Sequence, residues 1–231
     1  MKFFAVTTLL IISYGFTRAG VVTESSSPPA TFAIASIHLE QNATDGDYEI
    51  VVEAMGGDEG LTKLTVTAPD GRIIVDFTGP QASSLGMRQF RFESPEPRNF
   101  NSLKAAYPEG VYAFSGTTAS GAKLEGNAKL SHKLALSNAT LLQPKPGAKG
   151  VSPKNLQITW TPVKNAVAYS LYIEQDRLNM SLNVRLLGSA DSFTVPEGFL
   201  LTGTQYVLGV GAIMSNGNTS FVESSFTTAA Q

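Results

Sequence analysis

Side chains suited to chemistry are few in this sequence, and their spacing limits what they can do. Histidine is the usual general base near neutral pH, and the chain has two, His38 and His132. They are far apart and have no Cys, Asp or Glu at zinc-ligand spacing. No Gly-X-Ser-X-Gly elbow, Walker loop or His-Glu-X-X-His occurs. A Ser-His-Asp triad assembled by folding leaves no local trace. His132 follows Ser131 at an expected strand end and reads as a solvated side chain rather than a base.

The other concentration of chemistry is acidic. Asp45-Gly46-Asp47-Tyr48-Glu49 places three carboxylates in a loop entering a strand, and extracellular calcium sites draw oxygen ligands from such loops. The EF-hand order is not met, since the sixth position is Ile50 and the twelfth is Gly56. Asp58 and Glu59 join a calcium site only if the fold brings them alongside; otherwise the segment is a solvated acidic turn. Gly209-Val210-Gly211 begins like a dinucleotide loop, but Met214 stands where the third glycine belongs and no helical pattern follows. Small outward residues inside a strand, permitting close packing, are the simpler reading. No cofactor and no metal is therefore assigned. A carbohydrate platform needs a flat row of exposed aromatics. Tyr48, Tyr107, Tyr112, Tyr169 and Tyr206 include several expected inward positions, while Tyr172 alternates oppositely to Tyr169, Leu171 and Ile173 and points outward.

These residues must be held by strands. Short stretches of period two, separated by Gly, Asp, Asn and Pro, run through the chain, and helical periodicity of useful length is missing. In the first half, strands are expected near Thr31–Glu40, Tyr48–Ala54, Leu61–Ala68, Arg72–Phe77, Met87–Phe92, Val111–Thr117 and Lys123–Leu130. Ala68-Pro69-Asp70-Gly71-Arg72 is a tight turn, Ala119-Ser120-Gly121-Ala122 closes a hairpin, and Ser102–Ala106 makes one helical turn before Pro108. Seven short strands at this spacing indicate an immunoglobulin-like β-sandwich over 31–135.

In the second half, Ile158-Thr159-Trp160-Thr161-Pro162-Val163 is followed by Ala166, Tyr169, Leu171 and Ile173. Further on come Leu200-Leu201-Thr202-Gly203-Thr204-Gln205-Tyr206, the alternation Leu208, Val210, Ala212, the turn Asn216-Gly217-Asn218 and the closing Phe226-Thr227-Thr228. Over 141–229 this sequence resembles the fibronectin type III family. It departs from the family at Thr202, where proline is usual. The resemblance implies a second β-sandwich with Trp160 at its centre. It also implies that the Tyr206 ring is buried and its hydroxyl returned to the backbone of the preceding loop. The fold class is all-β, two tandem sandwiches.

Length and charge agree. At 231 residues the chain has room for two ordinary domains. Its 17 basic and 19 acidic residues give −2 with no basic stripe, so nucleic acid is not an expected partner. Lys2, the apolar run Phe3–Ile12 and Thr17-Arg18-Ala19 form an export signal over 1–19, too short to span a bilayer comfortably, and a Ser- and Pro-containing tether covers 20–30. Removing Lys2 and Arg18 leaves 15 basic against 19 acidic residues, 15 − 19 = −4. Cysteine is absent, which excludes a bacterial lipoprotein anchor. The lack of disulfides in an exported chain favours a bacterial periplasmic or secreted protein. The sequons at Asn42, Asn138, Asn179 and Asn218 pull weakly the other way.

The expected function is a non-catalytic interaction or scaffold protein that binds a protein or cell-surface polymer through its sandwich surfaces or an edge strand. No Arg-Gly-Asp occurs. The alternative is a calcium- or carbohydrate-binding module, which requires Asp45, Asp47, Asp58 and Glu59 to converge. A hydrolase with loop-borne catalytic residues would be favoured by a histidine shielded from solvent beside a carboxylate.

Overall fold

The computed structural model describes residues 30–79, 86–135 and 137–230, so the expected signal and most of the tether lie outside the described residues. Fifteen strands and one short α-helix are present among them. In the first half these are β1 (Ala30–Thr31), β2 (Ile34–Asn42), β3 (Asp47–Met55), β4 (Leu61–Thr67), β5 (Ile73–Thr78), β6 (Gln89–Glu93), α1 (Phe100–Ala106), β7 (Gly110–Thr118) and β8 (Lys123–Leu130). In the second half they are β9 (Leu141–Gln143), β10 (Gln157–Trp160), β11 (Ala168–Gln175), β12 (Met180–Leu187), β13 (Ser192–Thr194), β14 (Gln205–Ile213) and β15 (Thr219–Thr227).

The strands form where side chains alternate between apolar and polar. On β7, Tyr112 and Phe114 are buried while Val111, Ala113 and Ser115 face outward, the period-two signature of a strand with one wet face. The β4–β5 turn follows its sequence: Gly71 takes φ +85, and Asp70 accepts from both the Arg72 backbone N–H (3.2 Å) and its guanidinium (2.7 Å). Helix α1 begins at a reciprocal cap, Asn99 accepting from Ser102 N–H at 2.9 Å while the Ser102 hydroxyl accepts from Asn99 N–H at 3.2 Å. The expected strand at Thr31–Glu40 is interrupted after Thr31. Phe32 turns into the core, its ring edge-on to Phe114 at 6.2 Å, so Ala30–Thr31 pairs parallel to β8 while β2 enters the other sheet. Ala30, the last residue of the expected tether, is thus part of a strand.

Both halves are built alike. In the first, β2-β3-β6 faces β8-β7-β4-β5; in the second, β9-β10-β13 faces β15-β14-β11-β12. Numbering strands within each half after the short β1, the order is 1-2-5 against 7-6-3-4 in both. The immunoglobulin-like expectation for the first half therefore holds, and its strand order is more specific than expected, since it repeats that of the second. Each sandwich has its own core. The first is centred on Leu39, Leu64, Tyr112 and Phe114, the second on Trp160, Tyr169, Leu208 and Phe226.

The sixth strand of each sandwich carries a tyrosine tied to the loop before it. Tyr206 accepts from Leu201 N–H at 2.8 Å, and Tyr112 donates to Pro108 C=O at 3.0 Å. Thr202 therefore leaves the corner in the second sandwich intact. Trp160 is 1% exposed and packs at 5.4 Å from Tyr169, while its indole N–H has no partner among the described residues.

The two sandwiches share a sheet. β15 pairs parallel to β2, Thr219 opposite Glu40, Ser220 opposite Gln41 and Phe221 opposite Asn42. This joins four strands of the second half to three of the first as β12-β11-β14-β15-β2-β3-β6.

Candidate functional site: a groove across the shared sheet

The outer face of the shared sheet carries an open groove of about 700 Å³, lined by residues of both sandwiches. Beneath it runs strand β14, where Gly209 and Gly211 face outward and are covered by rings from the neighbouring strands. A β-carbon on Gly209 would lie 2.2 Å from the Tyr172 ring, and one on Gly211 would lie 2.5 Å from the Phe221 ring. The missing side chains therefore let Tyr172 from β11 and Phe221 from β15 lie across the strand between them, ring centroids 5.8 Å apart. The Tyr172 hydroxyl donates to Glu223. Burial, then that bond to a carboxylate, holds the phenol far above its ordinary pKa, so it stays a neutral donor.

Carboxylates form the walls. Glu40, Glu49 and Glu93 stand on the first sandwich, Glu174 and Glu223 on the second, with Asp47 and Glu96 at one end. Arg91 is the one cationic side chain in the lining. It donates to Glu93 at 2.8 Å and to Glu40 and Glu53 at 3.3 Å each. Glu40 is pushed up by burial, but His38 and then Arg91 outweigh that and hold it below its ordinary value. Glu49 has no such cation to itself: burial, then Glu93 and Glu40, raise it. At neutral pH the groove is anionic, with an aromatic floor.

His38 lies on the same face, 12% exposed, with Nε2 2.9 Å from Oε1 of Glu40, itself 14% exposed. This is the shielded histidine–carboxylate pair that favours a hydrolase, but it lacks a nucleophile. Ser36, the next outward residue on β2, gives its hydroxyl to Glu53 at 3.2 Å, and His38 has no other side-chain hydrogen bond among the described residues. His132 is not the solvated side chain expected. It is 10% exposed, its Nε2 2.8 Å from Tyr107 C=O, because the chain after β8 folds back against α1 and sets the ring edge-on to Phe100.

The calcium constellation does not form. Asp45 and Asp47 precede β3 or begin it, while Asp58 and Glu59 follow it. At about 3.3 Å per residue the nine-residue strand separates them by about 26 Å. Asp45 instead accepts from Asn42 Nδ2 (3.0 Å) and Asp47 N–H (3.2 Å), closing the exposed turn, and Glu59 accepts from the Ser120 hydroxyl. The expected outward placement of Tyr172 and of the two glycines is what the structure shows. Phe221 and the meeting of the two sandwiches were not foreseen.

No protein-family model matches the chain, and no curated protein matches it. Among solved structures it is similar to the fibronectin(III)-like modules of Clostridium thermocellum CbhA, at 11% identity over 89% of this chain and 93% of that one, TM-score 0.34. It is also similar to a two-domain fibronectin type III segment of chicken tenascin, at 10% identity over 87% and 95%, TM-score 0.34. A third similarity is to the FN1–FN3 domains of chicken CNTN1, at 16% identity over 88% and 67%, TM-score 0.32. The protein is an all-β pair of sandwiches with one strand order, 1-2-5 against 7-6-3-4, in both halves.

Proposed function

We propose that this chain is an exported, non-catalytic binding and scaffold protein. Its two modules, 31–135 and 141–229, hold a protein segment or cell-surface polymer in the groove across their shared sheet. The observation that carries this reading is the groove itself, aromatic at its floor, anionic at its walls and contributed by both sandwiches. Carboxylates flanking a pair of aromatic rings favour a partner that brings positive charge on an extended backbone, such as a Lys-rich peptide segment or an amino-sugar polymer. Both histidines are engaged with a carboxylate or a carbonyl rather than with a hydroxyl to be activated, which argues against the hydrolase. Export rests on Lys2 and the apolar run Phe3–Ile12, and with it a periplasmic or secreted location.

Calorimetric titration of residues 20–231 with a Lys-rich peptide, an amino-sugar oligomer and a neutral glycan tests the reading. Saturable binding of a cationic ligand, weakened by salt and lost in Tyr172→Ala, supports it. Binding that ignores Tyr172→Ala and Glu93→Gln, or no binding at low salt, overturns it.

A further inference from the structure

The joint between the sandwiches is made differently from either core. The first core is drawn from residues between Phe32 and Leu130 and the second from residues between Ala139 and Phe226, and no buried apolar residue belongs to both. Among the described residues, a set of polar groups is bonded across the joint. Asn218, 1% exposed, accepts from Leu39 N–H at 3.0 Å and donates to Ser131 C=O at 2.7 Å and Lys133 C=O at 3.0 Å. Ser220 reaches Gln41 at 3.1 Å and Asn138 at 2.6 Å. Ala43 N–H donates to Phe221 C=O at 2.8 Å, and Glu223 N–H to the Thr44 hydroxyl at 2.7 Å.

Groups of this kind regain partners from water when they separate, whereas apolar surface does not. A domain contact made of them opens more readily than a core unfolds.

We propose that this joint is a latch: it opens as a unit while both sandwiches stay folded, and Asn218 is its catch. The catch is suited to the role because one side chain holds three main-chain groups, one on β2 and two on the segment leaving β8. Opening parts the two walls of the groove, since Glu40 and Asn42 travel with the first sandwich and Tyr172 and Phe221 with the second. The latch stands on its own geometry and does not depend on what the groove holds.

Amide hydrogen exchange on the full chain reads it directly, without any ligand. Leu39, Ala43 and Glu223 carry amides bonded across the joint, whereas Val52 and Leu208 lie in the two cores. The three joint amides should exchange together and at least tenfold faster than the core pair. Asn218→Asp keeps the acceptor for Leu39 but sets a carboxylate against two carbonyls. It should speed the joint amides a further tenfold and leave the core amides unchanged. If Asn218→Asp does not fold, Ser220→Ala removes the Gln41 and Asn138 bonds at the same joint and should speed the same three amides by a smaller factor. Joint amides that exchange at core rates in the wild type, and move with the core amides in whichever variant folds, would overturn the latch.

Discussion

Gly209 lies directly beneath the ring of Tyr172, so close that any β-carbon there would collide with it at 2.2 Å. The glycine is therefore the seat of the tyrosine, and the ring is held where its hydroxyl meets Glu223. Gly209→Ala must expel the ring or shift a central strand, and overpacking of this kind costs about 1–3 kcal/mol. The melting midpoint should drop by several degrees, with the near-ultraviolet tyrosine signal altered. Gly211→Ala should do the same through Phe221. An unchanged midpoint in both would mean that the rings are not packed on this strand.

The tyrosines of the two sixth strands offer a paired test. Tyr206→Phe removes the acceptor for Leu201 N–H, and Tyr112→Phe removes the donor to Pro108 C=O. Each should destabilise by about 1 kcal/mol, and the double variant by about the sum, because the two belong to separate cores. Burial raises the Tyr112 phenol to about 12 and Tyr172 is held higher still, so spectrophotometric titration of the wild type should show two tyrosines ionising late, one of them missing in Tyr112→Phe.

Stability near the groove should depend on pH with a definite sign. Glu40 titrates in the folded protein below its ordinary 4.5, so its ionised form stabilises the fold. That contribution is full above pH 4.5 and is lost as the pH falls through the folded value. Glu49 is raised and works oppositely, its ionisation disfavouring the fold above its folded value. Glu40→Gln should therefore melt a few degrees below the wild type at pH 7, and the difference should close as the pH is taken well under 4.5. A difference that persists in acid would point to packing rather than charge.

Calcium should leave the melting midpoint where EDTA leaves it, because Asp45 and Asp47 stand at the opposite end of β3 from Asp58 and Glu59 and no group of three acids close enough to hold an ion forms among the described residues. Asp45→Ala should instead destabilise the fold modestly, by about 0.5–1 kcal/mol, and lower the midpoint accordingly, through the two turn hydrogen bonds it loses. A saturable calcium-dependent rise abolished by Asp45→Ala would contradict this placement.

Much of the fold was legible because it is written locally. Period-two alternation located the strands, Asp70-Gly71 a turn, Ser102–Ala106 a helical turn, and the segments around Trp160 and Tyr206 the second sandwich. Three features were not legible. Phe32 breaks the first strand only because a core lies behind it. His132 is shielded by a helix far away in sequence, so its neighbours in the chain gave no warning. The β2–β15 pairing joins residues 40–42 to 219–221 in parallel, and parallel partners so distant leave no turn between them to announce the contact. The groove depends on that pairing, so of the two rings that meet across β14 only Tyr172 could be placed from alternation alone. The signal for the other half of the repeat was present: Tyr112 follows Pro108 and Gly110 much as Tyr206 follows Gly203, and each tyrosine bonds the backbone of its own preceding loop, one as donor and the other as acceptor.

The shared sheet also bears on how the protein is made. A ribosome delivers β2 long before β15, and N-terminal domains generally fold first during synthesis. By the time Thr219–Phe221 emerges, the strand that covers it is already in place. Gly147, Ala148 and Val151 bond the far end of β15, but without β2 its Thr219–Phe221 stretch would be a bare length of sheet edge, the kind of surface that recruits strands from neighbouring molecules. Here translation order supplies a shield before the edge exists. A fragment begun after residue 138 would lack that shield, and the nascent second sandwich would meet its neighbours with the edge open.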